Sequence, residues 1–341
     1  MEDTIRFART IRTLSWVLGA VMAVAAPTAA SAADYRVGHV YTNESPVGEA
    51  ALRFAELVRE RTKGEVNIKV FPNGQVGGDE QIGRDVSRGL LDFAFVNHGS
   101  ISSLDKRIDM LAMPFIAANF EQVDRLFYGN GVIPQTTFEV FNKLNIQFLG
   151  WFESEFRAVA NSKRPITSLA DLRGLKLRVP PARGLRTFFD DAGSQTVIMP
   201  FTELFTALQQ KTVDGQENGP ILTLTSKLYE TTKYLTLTNH VFSHGAIVVS
   251  KTVFNKLTPE QRQIIERTGK EVGRGQILKQ RAAYNDSVAK LRAAGVEVIE
   301  LSPAARKDMQ QLGMAVWDKM SDVYGADKIA QLRKEVAATV K

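Results

Sequence analysis

Arg178 is the residue whose type and setting say most about chemistry. It stands within an apolar alternation, Leu175, Leu177 and Val179, that reads as a half-buried strand, and Pro180 and Pro181 close the loop behind it. A guanidinium fixed at a strand terminus can meet a carboxylate with two parallel, charge-assisted hydrogen bonds. A second group of candidates lies nearer the N-terminus, where "VNHGS" follows a strand. An α/β sheet presents ligand-facing side chains at its carboxyl edge, so Asn97 and His98 are candidates for reading hydroxyl or second-carboxylate groups. Val40, Tyr41 and Asn43 occupy the equivalent place after the first strand. Asp79 and Glu80 follow the glycines of "NGQVGGDE" and either accept from ligand hydroxyls or start a helix, where acids suit the dipole. Arg183 is a further candidate for a second carboxylate, or an ordinary exposed charge.

Other chemistries have little to stand on. His240 and His244 are four apart, but "NHVFSHGAIVV" reads as strand and loop with no third ligand, so no metal centre is expected. The chain carries no GxSxG elbow, phosphate-binding loop, HExxH or GxGxxG, and with no cysteine it has no thiol nucleophile. No cofactor is expected. The formal charge of +6 comes from basic residues mixed with acids, which suits an anionic ligand and leaves no nucleic-acid footprint.

The elements that must position these residues alternate. Tyr35, Val37 and the Val40 region read as a strand, Ser45 as an N-cap with Pro46 at the first helical position, and Val66, Ile68 and Val70 as a second strand. This strand, helix, strand succession implies a parallel pair under a covering helix, and it recurs through "DEQIGRDVSRG" and "LDFAFV". A second such unit starts near Arg157 and runs through "LKLRV", a helix around Leu185 to Ala192, the strand "TVIMP", the helix "TELFTALQQ" and "VDGQEN". With no low-complexity linker between the units, the chain is expected to cross between two domains more than once. From Pro259 to about Ala294 the pattern predicts one long helix. Ahead of all this, Arg6, Arg9 and Arg12, an apolar run from Leu14 to Ala26 and the small residues Ala30, Ser31 and Ala32 read as a secretory signal cleaved near Ala32/Ala33. The run is too short to cross a bilayer, and without cysteine there is no thiol-linked lipid anchor, so a periplasmic location is expected.

The order of several segments, "ADYRVGHV", "FAELVRERTKGEVNIKVFPNGQVGGDE", "SRGLLDFAF", "LAMPF", "LGWFESEFRAVANSKRPI", "SLADLRGLKLRVP" and "MPFTELFTALQQKTVDGQEN", resembles the solute-binding proteins of TRAP transporters, the tripartite carriers of organic acids. The resemblance fades after "KLYETTKYLTLTNH". It implies an α/β, two-lobed periplasmic-binding-protein fold with crossing strands and a long connecting helix. The expected lobes are 33–155 plus 242–283 and 156–241 plus 284–341. It also implies that Arg178 holds the ligand carboxylate. Arg157 matches a second arginine at the cleft; the competing role is a salt bridge to Glu153 or Glu155. Asn218 corresponds to an amide that bonds the same carboxylate, and Phe201 to an aromatic against the ligand body. Trp151 and Phe152 either line the same space or fill the lobe interface. The family form continues "GTVDGQENP", whereas this chain has Lys211 for the Gly and Gly219 before Pro220, so the turn after Asn218 is expected to shift.

The function implied is capture of a small organic acid, without making or breaking bonds, and its delivery as a monomer to small and large integral membrane subunits. A ligand sensor feeding a receptor kinase and an exported sugar-acid enzyme are the alternatives. Among ligands, the uncharged Asn97 points to a hydroxylated monocarboxylate, and Arg183 or His98 in the pocket would point to a dicarboxylate.

Overall fold

The computed structural model describes residues 33–339; the expected signal at 1–32 lies outside them. β1 (Ala33–Gly38), α1 (Pro46–Arg61) and β2 (Val66–Phe71) open the chain as a strand, helix, strand unit. Ser45 caps α1 through its hydroxyl, which accepts from the Gly48 amide at 3.1 Å, and Pro46 takes the first position, where no donor is needed. Then come α2 (Asp79–Arg88), β3 (Phe93–Asn97), α3 (His98–Ser102), α4 (Phe120–Phe127), α5 (Val132–Lys143) and β4 (Ile146–Phe156). The middle of the chain forms β5 (Ala158–Asn161), β6 (Lys176–Val179), α6 (Arg183–Asp191), β7 (Gln195–Ile198), α7 (Phe201–Gln209), β8 (Gly215–Asn218), α8 (Pro220–Thr225) and β9 (Tyr234–Leu237). It returns through β10 (Phe242–Ser250), α9 (Lys251–Phe254), α10 (Pro259–Ala293) and β11 (Glu297–Glu300), and ends in α11 (Pro303–Asp318), α12 (Ser321–Tyr324) and α13 (Ala326–Ala338).

Two sheets result. The first has strand order β2-β1-β3-β10-β4 and the second β11-β9-β5-β8-β6-β7. β1 runs parallel to β2 and β3, while β10 returns antiparallel between β3 and β4. In the second sheet β6 is parallel to both β7 and β8, and β5 is antiparallel to β8 and β9. The chain crosses from the first sheet to the second where β4 becomes β5, with Arg157 alone between them, and back where β9 leads to β10. The two crossings lie side by side, since the Arg157 amide donates to the Val241 carbonyl at 2.8 Å. The predicted two-lobed α/β fold with crossing strands is therefore present.

The long helix is present too. α10 has 35 residues, about 52 Å at the usual rise, and starts with a reciprocal cap between Thr258 and Gln261. It packs on α1 and β4 of the first lobe and on α8 and β11 of the second. Gly273 makes the first contact close: a Cβ there would stand 2.2 Å from the Trp151 carbonyl oxygen.

Residues 284–341, expected wholly in the second lobe, divide. α11 packs on α6, but α13 packs on α4 and α5 of the first lobe, where Ile329 and Leu332 join the main apolar core. Burying those two side chains favours this return by roughly 1.5–3 kcal/mol each.

Candidate functional site

Strand β6 places Arg178 deep in the second lobe, 3% exposed, opposite Gln216 of β8 and Val197 of β7. Its Nε donates to the Met199 carbonyl at 2.9 Å, which fixes the plane of the guanidinium. Neither terminal nitrogen has a hydrogen-bond partner among the described residues. The Phe201 ring, at the first position of α7, lies 6.0 Å from the guanidinium carbon. Burial lowers the Arg178 pKa to about 10, with the attraction of Glu217 opposing it, so the group stays charged at neutral pH. A buried cation with two free donors calls for an anion.

Arg178 lines a cavity of about 50 Å³ between the lobes. The first lobe contributes Val40, Tyr41, Asp79, Glu80 and Asn97, the second Arg157, Arg178, Phe201 and Asn218, and the crossing segments Ser154, Val241 and Ser243. The cleft is shut at two places. The Ser102 hydroxyl donates to the Pro181 carbonyl at 2.8 Å, and the 74–78 loop lies on Thr202, close enough that a Cβ on Gly78 would be 3.3 Å from the Thr202 hydroxyl.

Arg157 also reaches this wall but is already engaged. Its Nε and one terminal nitrogen donate to the Glu217 carboxylate, the same nitrogen to the Glu217 carbonyl, and again to Asn218 Oδ1 at 2.8 Å. Burial alone would lower Arg157 and raise Glu217, but their mutual attraction reverses both shifts. His240 Nε2 lies 3.2 Å from the same carboxylate, and its Nδ1 lies 2.7 Å from the Thr238 hydroxyl. Burial lowers the His240 pKa. The neutral ring then donates from Nε2 to Glu217 and accepts from Thr238 at Nδ1. The expected alternative partners of Arg157 serve elsewhere. Glu153 pairs with Arg281 at 2.6 Å, and Glu155 accepts from the Ile221 and Leu222 amides at the start of α8, each at 2.8 Å.

Asn218 accepts from Arg157 and donates to Gln216 Oε1 at 2.6 Å. Asn97 caps α3 by accepting from the Ser100 amide at 3.2 Å and donates to Asp79 Oδ1 at 3.0 Å. The Ser100 hydroxyl donates to that same oxygen at 3.1 Å. Burial raises the Asp79 pKa to about 6, and neighbouring Glu80 adds to the shift.

Four of the candidates, Asn43, Trp151, Phe152 and Arg183, do not line this cavity. Trp151 is displaced from the expected site because β4 turns it toward α10: it packs on Phe148, Tyr128 and His244 and lines a separate hollow with Leu278 and Arg281. Phe152 is buried behind Tyr41 and Phe95. Arg183 is exposed and pairs with Asp322 at 3.3 Å. His98 is the first residue of α3, and its side chain lies outside the described part. Glu217 was not singled out from the sequence, although a lone acid in a strand buried at every position must find a cation.

The family model for bacterial extracellular solute-binding protein, family 7, matches residues 37–322. The chain is 28% identical over 310 residues to a sialic acid-binding periplasmic protein of Vibrio cholerae, covering 89% of this chain and 94% of that one. It is 28% identical to a 2,3-diketo-L-gulonate-binding periplasmic protein of Escherichia coli, over 79% of this chain and 81% of that one. In three dimensions it is similar to a sugar acid binding protein of Advenella mimigardefordensis solved with galactonate, with a TM-score of 0.86, 30% identity, and coverage of 90% and 98% of the two chains.

Proposed function

The chain belongs to family 7 of the bacterial extracellular solute-binding proteins, and on that premise we propose that it captures a small organic acid by its carboxylate on Arg178, in the cleft between its two lobes. The observation that carries this reading is the buried guanidinium of Arg178, held by Met199 and left with two donors facing the cavity. Arg157 and Asn218 then act as a frame. Glu217 neutralises Arg157, and Arg157 in turn orients Asn218, whose remaining amide capacity borders the same cavity.

The lobes are assigned as 33–155 with 242–283 and 156–241 with 284 onward, the C-terminal helix α13 rejoining the first lobe. The carboxylate docks on the second lobe, and Tyr41, Asp79 and Asn97 of the first lobe complete the site as the cleft closes. A ligand favours the closed form only by its extra affinity for that form, so contacts from the first lobe supply the closing force. The closed monomer delivers the acid to a small and a large membrane subunit of a TRAP transporter, after export directed by residues 1–32. No helix among the described residues is long and apolar enough to cross a membrane.

A thermal-shift and calorimetric screen of the mature, ligand-free protein against organic acids tests the reading. Leaving a buried carboxylate unpaired costs about 2–5 kcal/mol, so Arg178→Ala is expected to weaken binding roughly 30- to 5,000-fold. Arg178→Lys keeps the charge without the two-pronged geometry and is expected to fall between the two. Unchanged affinity in Arg178→Ala would overturn the assignment.

A further inference from the structure

The wall facing Arg178 is acidic. Asp79 and Glu80 form the first turn of α2, both half-buried and both lining the cavity. Acids at a helix N-terminus are common for structural reasons alone. What sets this pair apart is the buried, partly unpartnered Arg178 in the same cavity, which makes the space between them a ligand site with opposite charge at its two ends. We propose that Asp79 and Glu80 make this site select a polyhydroxylated monocarboxylate and reject a dicarboxylate, an inference that rests on the carboxylate reading of Arg178.

The donor and acceptor inventory leads there. Asn97, the neutral residue on this wall, turns its amide nitrogen to Asp79 and its oxygen to the Ser100 amide, so its main work is to fix Asp79. Asp79 Oδ1 takes both the Asn97 and the Ser100 donors, while Oδ2 has no hydrogen-bond partner among the described residues. An ionised carboxylate only accepts, so the group it asks for is a donor, and a hydroxyl supplies one. A second carboxylate on the ligand would arrive against two like charges. Among the described lining residues the cations are Arg157 and Arg178, and Arg157 is neutralised by Glu217. Arg183, the cation that could have received a second carboxylate, is outside the cavity and paired with Asp322.

The test uses six-carbon acids of one length: a panel of aldonates, the aldarate corresponding to each, and hexanoate, titrated calorimetrically into the ligand-free mature protein. At least one aldonate is expected to bind at least 100-fold more tightly than its aldarate and at least tenfold more tightly than hexanoate, since like-charge juxtaposition strongly disfavours the wrong partner. Asp79→Asn is expected to weaken the aldonate at least tenfold and to strengthen the aldarate. Glu80→Gln shifts the ratio in the same direction and serves if Asp79→Asn melts early. An aldarate that binds as tightly as its aldonate, or a ratio unmoved by both substitutions, overturns the proposal while leaving the Arg178 clamp standing. Acids of every kind binding equally well to wild type and Arg178→Ala would instead overturn the clamp, and this inference with it.

Discussion

Glu217 holds Arg157 with both carboxylate oxygens; the Glu217 side chain is fully buried and that of Arg157 is 10% exposed. The pair joins the crossing between the lobes to strand β8 and places Asn218 beside the cavity. The ion pair is therefore a scaffold for the cavity wall. Arg178, one strand away, keeps the free donors.

Glu217→Gln is expected to destabilise the fold by about 3–5 kcal/mol, because it leaves a buried guanidinium without its counter-charge. Pairing it with Arg157→Met should recover much of that loss, since the uncompensated charge goes too. Urea denaturation of the two variants is the check. A loss below roughly 1 kcal/mol for Glu217→Gln would mean that Arg157 reaches water despite its burial.

Gly219 and Glu155 are coupled by contact. A Cβ on Gly219 would stand 2.1 Å from the Glu155 carboxyl carbon, inside the space where that carboxylate meets the start of α8. Gly219→Ala is expected to cost about 1–3 kcal/mol by forcing the carboxylate out. In a Glu155→Ala background the same change should cost no more than about 0.5 kcal/mol, and a thermal-melt double-mutant cycle measures the difference.

Glu155 also sets a pH dependence. Burial lifts its pKa from the ordinary 4.5 to about 8, with the two α8 amides opposing. Between those values the folded protein holds a proton that the unfolded chain lacks. The contribution of Glu155 to stability therefore falls as the pH rises from about 4.5 to about 8 and levels off above. Asp79 and Asp109, both raised to about 6 chiefly by burial, add the same trend at the acid end of the window. His39, lowered to about 4, and His240, lowered too, both by burial, oppose this trend below about pH 6.5. The slope above about pH 7 is left to Glu155, and Glu155→Gln should flatten it in melts taken up to about pH 8. An unchanged slope would show that Glu155 titrates below the window.

Local patterns made much of this molecule legible. Ser45 and Pro46 announced α1, the alternation around Arg178 announced β6, and the unbroken polar run from Pro259 announced α10. These features depend on neighbours in sequence, and periodicity and caps report such neighbours. The partners were harder to read. Arg157 meets Glu217 sixty residues away, through strand pairings that no local pattern encodes. The unusual Gly219 was visible in the sequence, but its cause, the carboxylate of Glu155 on a strand of the other sheet, needed the fold. Trp151 went astray for a related reason: it lies a few residues before the crossing, yet strand alternation aims it at α10.

Whether Arg178 receives the ligand carboxylate is decided by a crystal structure of the protein with a bound organic acid. Both carboxylate oxygens are expected within about 2.7–2.9 Å of the two terminal nitrogens of Arg178, with the Arg157–Glu217 pair intact. A carboxylate bound instead to Arg157, with Glu217 displaced, or one seated away from Arg178 altogether, would contradict it.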